Sequence, residues 1–307
     1  MPSKSGPADV RPILKWAGGK RQLLPALRRF YPASFTRFVE PFVGSGAVFI
    51  DCHNRGLLDG RAVWLSDINA DVIGCYRMVR DAAEDVIRCL ERLEQGHRTS
   101  GADHFYWVRD RQFNRLRSDL ARGSEPYTYS PELAAMLIYL NRTGYNGLFR
   151  VNSRGQFNVP AGRYGNVTIC DSANLRRLSE ALRRPGLRIE ACAFEEALGS
   201  CGPGDFVYLD PPYAPVSPTA QFTSYTAGGF GPDQQQRLQQ AVIALAARGT
   251  RVLMSNSVAP DIIRLYETSE EARSAGLKTR TVAARRAINS RPARRGAVRE
   301  CLITNVR

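Results

Sequence analysis

Four short apolar runs in this chain each stop at an acid or an amide: "RFVE" (37–40), the start of "AVWLSDIN" (62–69), "DFVYLD" (205–210) and "RVLMSN" (251–256). Runs of this length, apolar at consecutive positions, read as strands buried on both faces, which is how parallel sheets use them. Between the last two lies "GPDQQQRLQQAVIALAARG" (231–249), with apolar residues at helical spacing, Pro232 near its start and Gly249 past its end. Strands alternating with helices predict a doubly wound α/β sheet, whose ligands gather at the carboxyl ends of the strands. Glu40, Asp67, Asp210 and Asn256 close the four runs and therefore fall on that one edge.

The middle of the chain has another character. Residues 71–165 begin with helical patterns ("DVIGCYRMVRDAAEDVIRCLERLE", "PELAAMLIYLNR") and end in a polar, aromatic, Gly-rich stretch without strand–helix rhythm. The division expected is a discontinuous catalytic domain, 1–70 with 166–307, carrying an inserted, mostly helical domain at 71–165. Near the C-terminus "ARRAINSRPARRGAVRECLITNV" reads as two strands joined by an arginine-rich hairpin, Arg285 to Arg299.

Length and composition bound the class. With 307 residues, 43% hydrophobic and 23% charged, the chain can bury a sizeable core and is ordinary for a soluble globular protein. No apolar run approaches the ~20 residues of a membrane span, and the first residues lack the apolar core of a secretion signal, so a cytoplasmic protein with no membrane partner is expected. Seven scattered cysteines, none spaced C-x-x-C, suit reduced thiols rather than a disulfide framework or zinc site. The net charge of +14 favours a polyanionic partner, nucleic acid first. Only four of the 43 basic residues are lysine, which also fits an Arg-rich compositional bias, yet Lys15 and Lys20 fall within six residues of each other.

Two stretches carry chemistry. In "EPFVGSG" (40–46) a strand end runs into a glycine turn; Glu40, Pro41, Phe42, Gly44 and Gly46, with Asp67 and Ile68 at the end of the next strand, form a candidate cofactor cradle. It is neither a phosphate loop nor a complete G-x-G-x-x-G, because position 49 is phenylalanine. A G-x-G turn still admits a cofactor close to backbone, and an acid ending the next strand can accept from ribose hydroxyls. The competing reading is a structural turn with Asp67 as a helix N-cap. In Asp210-Pro211-Pro212-Tyr213 a carboxylate, the carbonyls of a rigid segment and an aromatic face come together, a set suited to an exocyclic amine on a flat base. Pro-Pro is also a common way to end a strand. The three histidines form no H-E-x-x-H or similar cluster, so neither a metal site nor a histidine base is indicated.

With "ILKWAGGKRQLLPAL" near the N-terminus, "FVEPFVGSG", "SDIN", "YLNRTGYNGLFRVNSRGQFNVPAGRY" (139–164) and DPPY in that order, almost the whole chain resembles the Dam family of DNA adenine-N6 methyltransferases, in its α-type arrangement. The resemblance implies a Rossmann-like methyltransferase sheet, S-adenosylmethionine as cofactor, and cofactor contacts at Trp16, Lys20, Asp67 and Asp210. It makes Asp210, Pro211 and Tyr213 the pocket of a flipped adenine, with Pro212 completing the motif. It assigns base or wedge contacts to Tyr145, Asn146, Leu148, Arg150, Pro160 and Tyr164 on a recognition β-hairpin, and a further base contact to Lys15. Phe157 is expected to pack beneath that hairpin.

The expected protein is thus a monomeric, site-specific DNA methyltransferase acting on adenine N6 in duplex DNA, within GATC, with a cognate restriction endonuclease as a candidate partner. The alternatives are a catalytically silent DNA-binding regulator on the same fold, or an amino-methylase acting on cytosine N4 or RNA adenine.

Overall fold

The computed structural model describes residues 9–16, 20–122, 129–214, 230–285 and 297–306. Seven strands, β1 (Arg37–Glu40), β2 (Ala62–Asp67), β3 (Leu187–Ala191), β4 (Phe206–Leu209), β5 (Arg251–Ser257), β6 (Lys278–Arg285) and β7 (Ala297–Thr304), form one sheet in the order β3-β2-β1-β4-β5-β7-β6. The first five are parallel, and β7 inserts antiparallel between β5 and β6. The four apolar runs are β1, β2, β4 and β5, and the C-terminal pair is β6 and β7. The tip of its arginine-rich hairpin, 286–296, lies outside the described residues.

β3 is the strand the sequence pattern does not announce. It pairs only with β2, and of "LRIEA" only Ile189 is buried, so no continuous apolar run marks it. From β1 the chain winds outward through β2 to β3, then returns to place β4 on the other side of β1, with Phe38 opposite Phe206 and Val39 opposite Val207. This reversal puts the loops after β1 and β4 side by side, the usual place for a ligand in an open α/β sheet.

Side chains alternate across the sheet. Phe38, Val63, Leu65, Phe206 and Tyr208 face a core shared with the helices Ala70–Asp81, Ala83–Trp107, Pro131–Thr143 and Ser172–Leu182. Val39, Trp64, Val207 and Leu209 face a second core closed by Phe194–Gly199, Pro232–Ala247 and Pro260–Tyr266. The helices of the 71–165 stretch therefore share one continuous apolar core with a sheet face. The stretch read as one helical pattern from 71 breaks at Ala82 (φ −138°, ψ 43°), and the next helix kinks at Gly101 (φ 50°, ψ −118°) before reaching Trp107. The helix read between Pro232 and Gly249 spans Pro232–Ala247, and Gly249 takes φ +84°.

The 139–164 stretch, expected to form a recognition hairpin, has two isolated antiparallel bridges, Gly144 with Ala161 and Val151 with Phe157, in place of a continuous ladder. The hairpin's own bonds run from the Asn158 N–H to the Arg150 carbonyl (3.1 Å) and from the Asn152 N–H to the Gln156 carbonyl (2.9 Å), so the Phe157 N–H and carbonyl face away from Val151. The buried Asn114 side chain satisfies them from outside: its amide donates to the Phe157 carbonyl (2.9 Å) and accepts from the Phe157 N–H (2.8 Å). Phe157 itself is buried against Phe113 and Phe149, as expected. No helix among the described residues is long and apolar enough to cross a membrane, and all seven cysteines are free thiols.

Phe206 anchors the β1–β4 junction, with its ring centroid 5.4–5.9 Å from those of Phe38, Phe35 and Tyr31. Phe206→Ala is expected to lower unfolding free energy by roughly 3–5 kcal/mol in urea titration. A loss below about 1 kcal/mol would mean that the junction is not packed as described.

Candidate active site

The glycine turn is built by left-handed backbone and by Asp67. Gly44 (φ +45°) and Gly46 (φ +63°) occupy conformations that side-chain-bearing residues rarely adopt, and a Cβ on Gly44 would stand 2.8 Å from Trp16 Cδ1. The Gly44 N–H donates to Asp67 Oδ2 (3.0 Å), and the Asn69 N–H donates to Oδ1 (3.0 Å). Asp67 thus ties the loop after β1 to the end of β2. It is not the N-cap of the following helix: Asn69 is, accepting from Asp71 N–H (3.0 Å) and Val72 N–H (3.4 Å). The cap sits two residues beyond the acid, which frees Asp67 for the loop.

Beneath the turn, Glu40 is buried and accepts from the Phe49 N–H (2.9 Å), satisfying an orphan donor in the first turn of the helix Ala47–Asn54. Burial pushes its carboxyl well above the usual range, against the Phe49 bond that pulls it down, and Asp210 and Asp67 add like charge. Burial likewise moves Asp67 up to about 6. Pro41 is buried, and Phe42 stacks on Phe194 (5.5 Å) and meets Phe230 edge-on (5.8 Å). Ile68 lies open, 61% exposed, beside Asp67.

After β4, the Asp210 carboxylate meets the Lys20 ammonium at 2.8 Å and accepts from Ser255 Oγ (3.0 Å). Because Ser255 donates there, its own partner Tyr208 must donate to it (3.0 Å), giving a Tyr208–Ser255–Asp210 relay of hydroxyls. Burial raises the Asp210 carboxyl, and the Lys20 charge and hydrogen bond oppose it. The Lys20 ammonium also lies 4.5 Å above the Tyr213 ring, whose hydroxyl donates to Glu300 Oε2 on β7 (2.7 Å). The Pro212 carbonyl accepts from Gln235 Nε2 (2.9 Å), and the Ala214 carbonyl accepts from Ser257 Oγ (2.8 Å). Pro211 is buried.

The residues expected to meet DNA also assemble. Lys15 Nζ lies 4.5 Å above the Tyr164 ring, and the Tyr164 hydroxyl accepts from Asn146 N–H (3.0 Å) and donates to the Gly144 carbonyl (3.2 Å). Asn146 (φ +56°) is the one non-glycine residue with positive φ among those described. Tyr145, Tyr164, Pro160 and Arg150 are exposed, and Leu148 is half-buried. Arg150 Nε donates to Asn158 Oδ1 (2.8 Å) across the hairpin. The buried Asn141 side chain ties this group to the N-terminal segment: it accepts from Lys15 N–H (2.6 Å) and donates to the carbonyls of Lys15 (2.7 Å) and Gly147 (3.0 Å). Trp16 stacks on Phe149 (5.9 Å) while covering Gly44.

Ser255, Gln235, Glu300 and Tyr76, whose hydroxyl donates to the Gly44 carbonyl (3.2 Å), escape sequence reasoning. Only Ser255 leaves a trace, one position before the asparagine that closes its apolar run. The others act from elements distant in sequence.

A seven-stranded sheet in this order, with a glycine turn after β1 and an acid-Pro-Pro-Tyr segment after the adjacent β4, defines a Rossmann-like methyltransferase. The profile of the D12 class N6 adenine-specific DNA methyltransferases matches residues 16–283, and the chain belongs to that family. It is 36% identical over 297 residues to the type II methyltransferase M1.LlaDCHI of Lactococcus lactis subsp. cremoris, covering 97% of this chain and 96% of that one. It is 35% identical over 292 residues to the DNA adenine methylase of Escherichia coli K12, covering 95% and 94% respectively. The type II methyltransferase M.MjaIII of Methanocaldococcus jannaschii is likewise 35% identical, over 97% of this chain and 99% of that one. The protein is an adenine-specific DNA methyltransferase, and family and fold imply S-adenosylmethionine. The sheet edge fits such a cofactor through an exposed apolar side chain at Ile68 and a carboxylate at Asp67, while the missing Cβ atoms of Gly44 and Gly46 leave room for Trp16 and the Tyr76 hydroxyl.

Asp67 gives a pH test. A carboxyl that titrates at about 6 when folded and at 3.8 otherwise binds protons more tightly in the folded state. Its ionisation therefore removes stability progressively as pH rises from about 4, with the loss complete above the folded value. The difference in urea midpoint between Asp67→Asn and the wild type should move in favour of the variant between about pH 4 and about pH 7. A constant difference across that range would contradict the burial of this carboxylate.

Proposed function

We propose that the enzyme methylates N6 of an adenine rotated out of duplex DNA, within GATC. The observation that carries this is the convergence of the Asp210 carboxylate and the Tyr213 ring on one amine, that of Lys20, at 2.8 Å and 4.5 Å. A carboxylate acceptor beside an aromatic face is what an adenine amine and its ring require. The amine cannot reach a cofactor from inside the stack, so the base must leave it.

Asp210 accepts one N–H of the amine and the Pro211 carbonyl accepts the other; the next carbonyl, of Pro212, is already held by Gln235. Two acceptors draw the nitrogen out of conjugation with the ring and expose its lone pair in a fixed direction. The Asp210 carboxylate stabilises the positive charge that grows on the nitrogen and holds the proton that the amine sheds. Burial raises that carboxyl, and Lys20 and Ser255 oppose the rise by favouring its ionised form. Tyr213, tethered through its hydroxyl to Glu300, stacks on the base. S-adenosylmethionine, when bound, supplies a methyl group on a positively charged sulfur; Trp16, Lys20, Glu40, Pro41, Phe42, Gly44, Gly46, Asp67 and Ile68 line its place.

Residues 71–165 carry most of the target-reading surface, and the N-terminal segment adds Lys15. Lys15, Tyr145, Asn146, Leu148, Arg150, Pro160 and Tyr164 contact the site: an arginine fork suits guanine in the major groove, and an aromatic or leucine side chain suits a wedge between unstacked bases. The GATC assignment is supported by the likeness of the 139–164 stretch to the Dam hairpin.

Asp210→Ala should abolish methyl transfer and keep most DNA affinity, since phosphate contacts elsewhere supply it; parallel loss of binding in a filter or anisotropy assay would sink the assigned role. Arg150→Ala should lose roughly 1–3 kcal/mol of discrimination at one base pair of GATC. An unchanged preference across all single-substituted sites would rule out Arg150 as a reader.

A further inference from the structure

Asp210 and Tyr213 are separated by two prolines, which have no N–H and can be hydrogen-bonded only through their carbonyls. A group that donates to those carbonyls fixes the backbone between the two side chains. We infer that Gln235 is the positioning residue that does this: its buried amide holds the Pro212 carbonyl and so sets the placement of Asp210 and Tyr213 for transfer. The inference rests on the catalytic reading of that stretch given above.

Sequence alone presents Gln234, Gln235 and Gln236 as an undifferentiated polar triplet at the start of the helix Pro232–Ala247. The structure separates them. Gln234 Oε1 accepts from the Gly231 N–H at the helix start (3.0 Å), Gln236 is exposed, and Gln235 is 4% exposed and points under the loop. Its orientation is dictated by an uninterrupted chain of donors. The Ser257 N–H on β5 donates to Asn256 Oδ1 (2.8 Å), which turns Asn256 Nδ2 toward Gln235 Oε1 (3.2 Å) and leaves Gln235 Nε2 facing the Pro212 carbonyl (2.9 Å). Asn256 is fully buried, so none of these amides can exchange its partner for water without cost. The end of β5 therefore sets the position of the loop after β4 through two side-chain amides. An ångström of slack at that loop would move both the acceptor and the stacking face.

One turn further along, Gln239 makes the same kind of bond, from Nε2 to the Leu265 carbonyl (2.6 Å), and is also buried, but its bond runs to the helix Pro260–Tyr266 rather than to Pro212. It is the internal control. Gln235→Glu keeps shape and the acceptor for Asn256 but removes the donor to Pro212; Gln235→Met removes both. Each variant, with Gln239→Glu and wild type, would be tested in single-turnover methyl transfer at saturating S-adenosylmethionine and duplex DNA, with the active fraction titrated and both dissociation constants measured. Both Gln235 variants should lose roughly 10- to 100-fold in the transfer rate, while affinity for cofactor and DNA stays within about twofold. Gln239→Glu should lose thermal stability and keep the wild-type rate. Wild-type rates in both Gln235 variants would overturn the inference, as would losses confined to affinity or to the folded fraction, or an equal loss in Gln239→Glu. A wild-type protein that transfers no methyl to adenine would instead overturn the underlying function.

Discussion

The pairing of β1 with β4 is the constraint on which the rest of the molecule depends. Phe38 against Phe206 and Val39 against Val207 bring together two segments more than 160 residues apart in sequence. Each of those strands stops where polar residues begin, so the pairing sets the glycine turn and the Asp210 loop side by side. The packing that secures it is apolar on both faces: Phe35, Phe38 and Phe206 on one side, Val39 and Val207 on the other. Nothing polar in the site could hold these loops together without that junction.

On this frame the site is a set of buried and half-buried polar groups that fix one another. Asp67 holds the Gly44 amide, Lys20 and Ser255 hold Asp210, and Glu300 holds the Tyr213 hydroxyl. Three carboxyls, Glu40, Asp67 and Asp210, are all pushed upward by burial on the same edge. Such a concentration of unfavourable charge is typical of functional sites, and the nearby cation, Lys20, is placed against the carboxylate assigned to the chemistry. The second physical link runs outward. Asn141 joins Lys15 to Gly147, and Trp16 bridges Phe149 and Gly44, so the surface proposed to read DNA and the cofactor turn share one packed segment.

Much of this was legible in sequence because the signals were local. The parallel strands declare themselves as apolar runs with polar ends, the helix before β5 by its proline and glycine, and the two loops by glycine and proline chemistry. β3 was not legible, since an edge strand with Arg188 and Glu190 needs only one buried side chain. The break at Ala82 hid inside an unbroken helical pattern. The sequence allows Asp67 as either cofactor acceptor or cap, and the structure gives the cap to Asn69, a choice that turns on two residues of register. Gln235 and Glu300 were invisible because their significance lies in which carbonyl or hydroxyl they meet across the sheet, which no spacing along the chain encodes.

The most direct measurement incubates the purified protein with labelled S-adenosylmethionine and methyl-free genomic DNA, then identifies the labelled nucleoside and maps the modified positions. The expected product is N6-methyladenine confined to GATC. Label in N4-methylcytosine, or no transfer although cofactor and DNA both bind, would contradict it; N6-methyladenine at unrelated sequences would leave the Asp210 chemistry standing and overturn the reading of the hairpin.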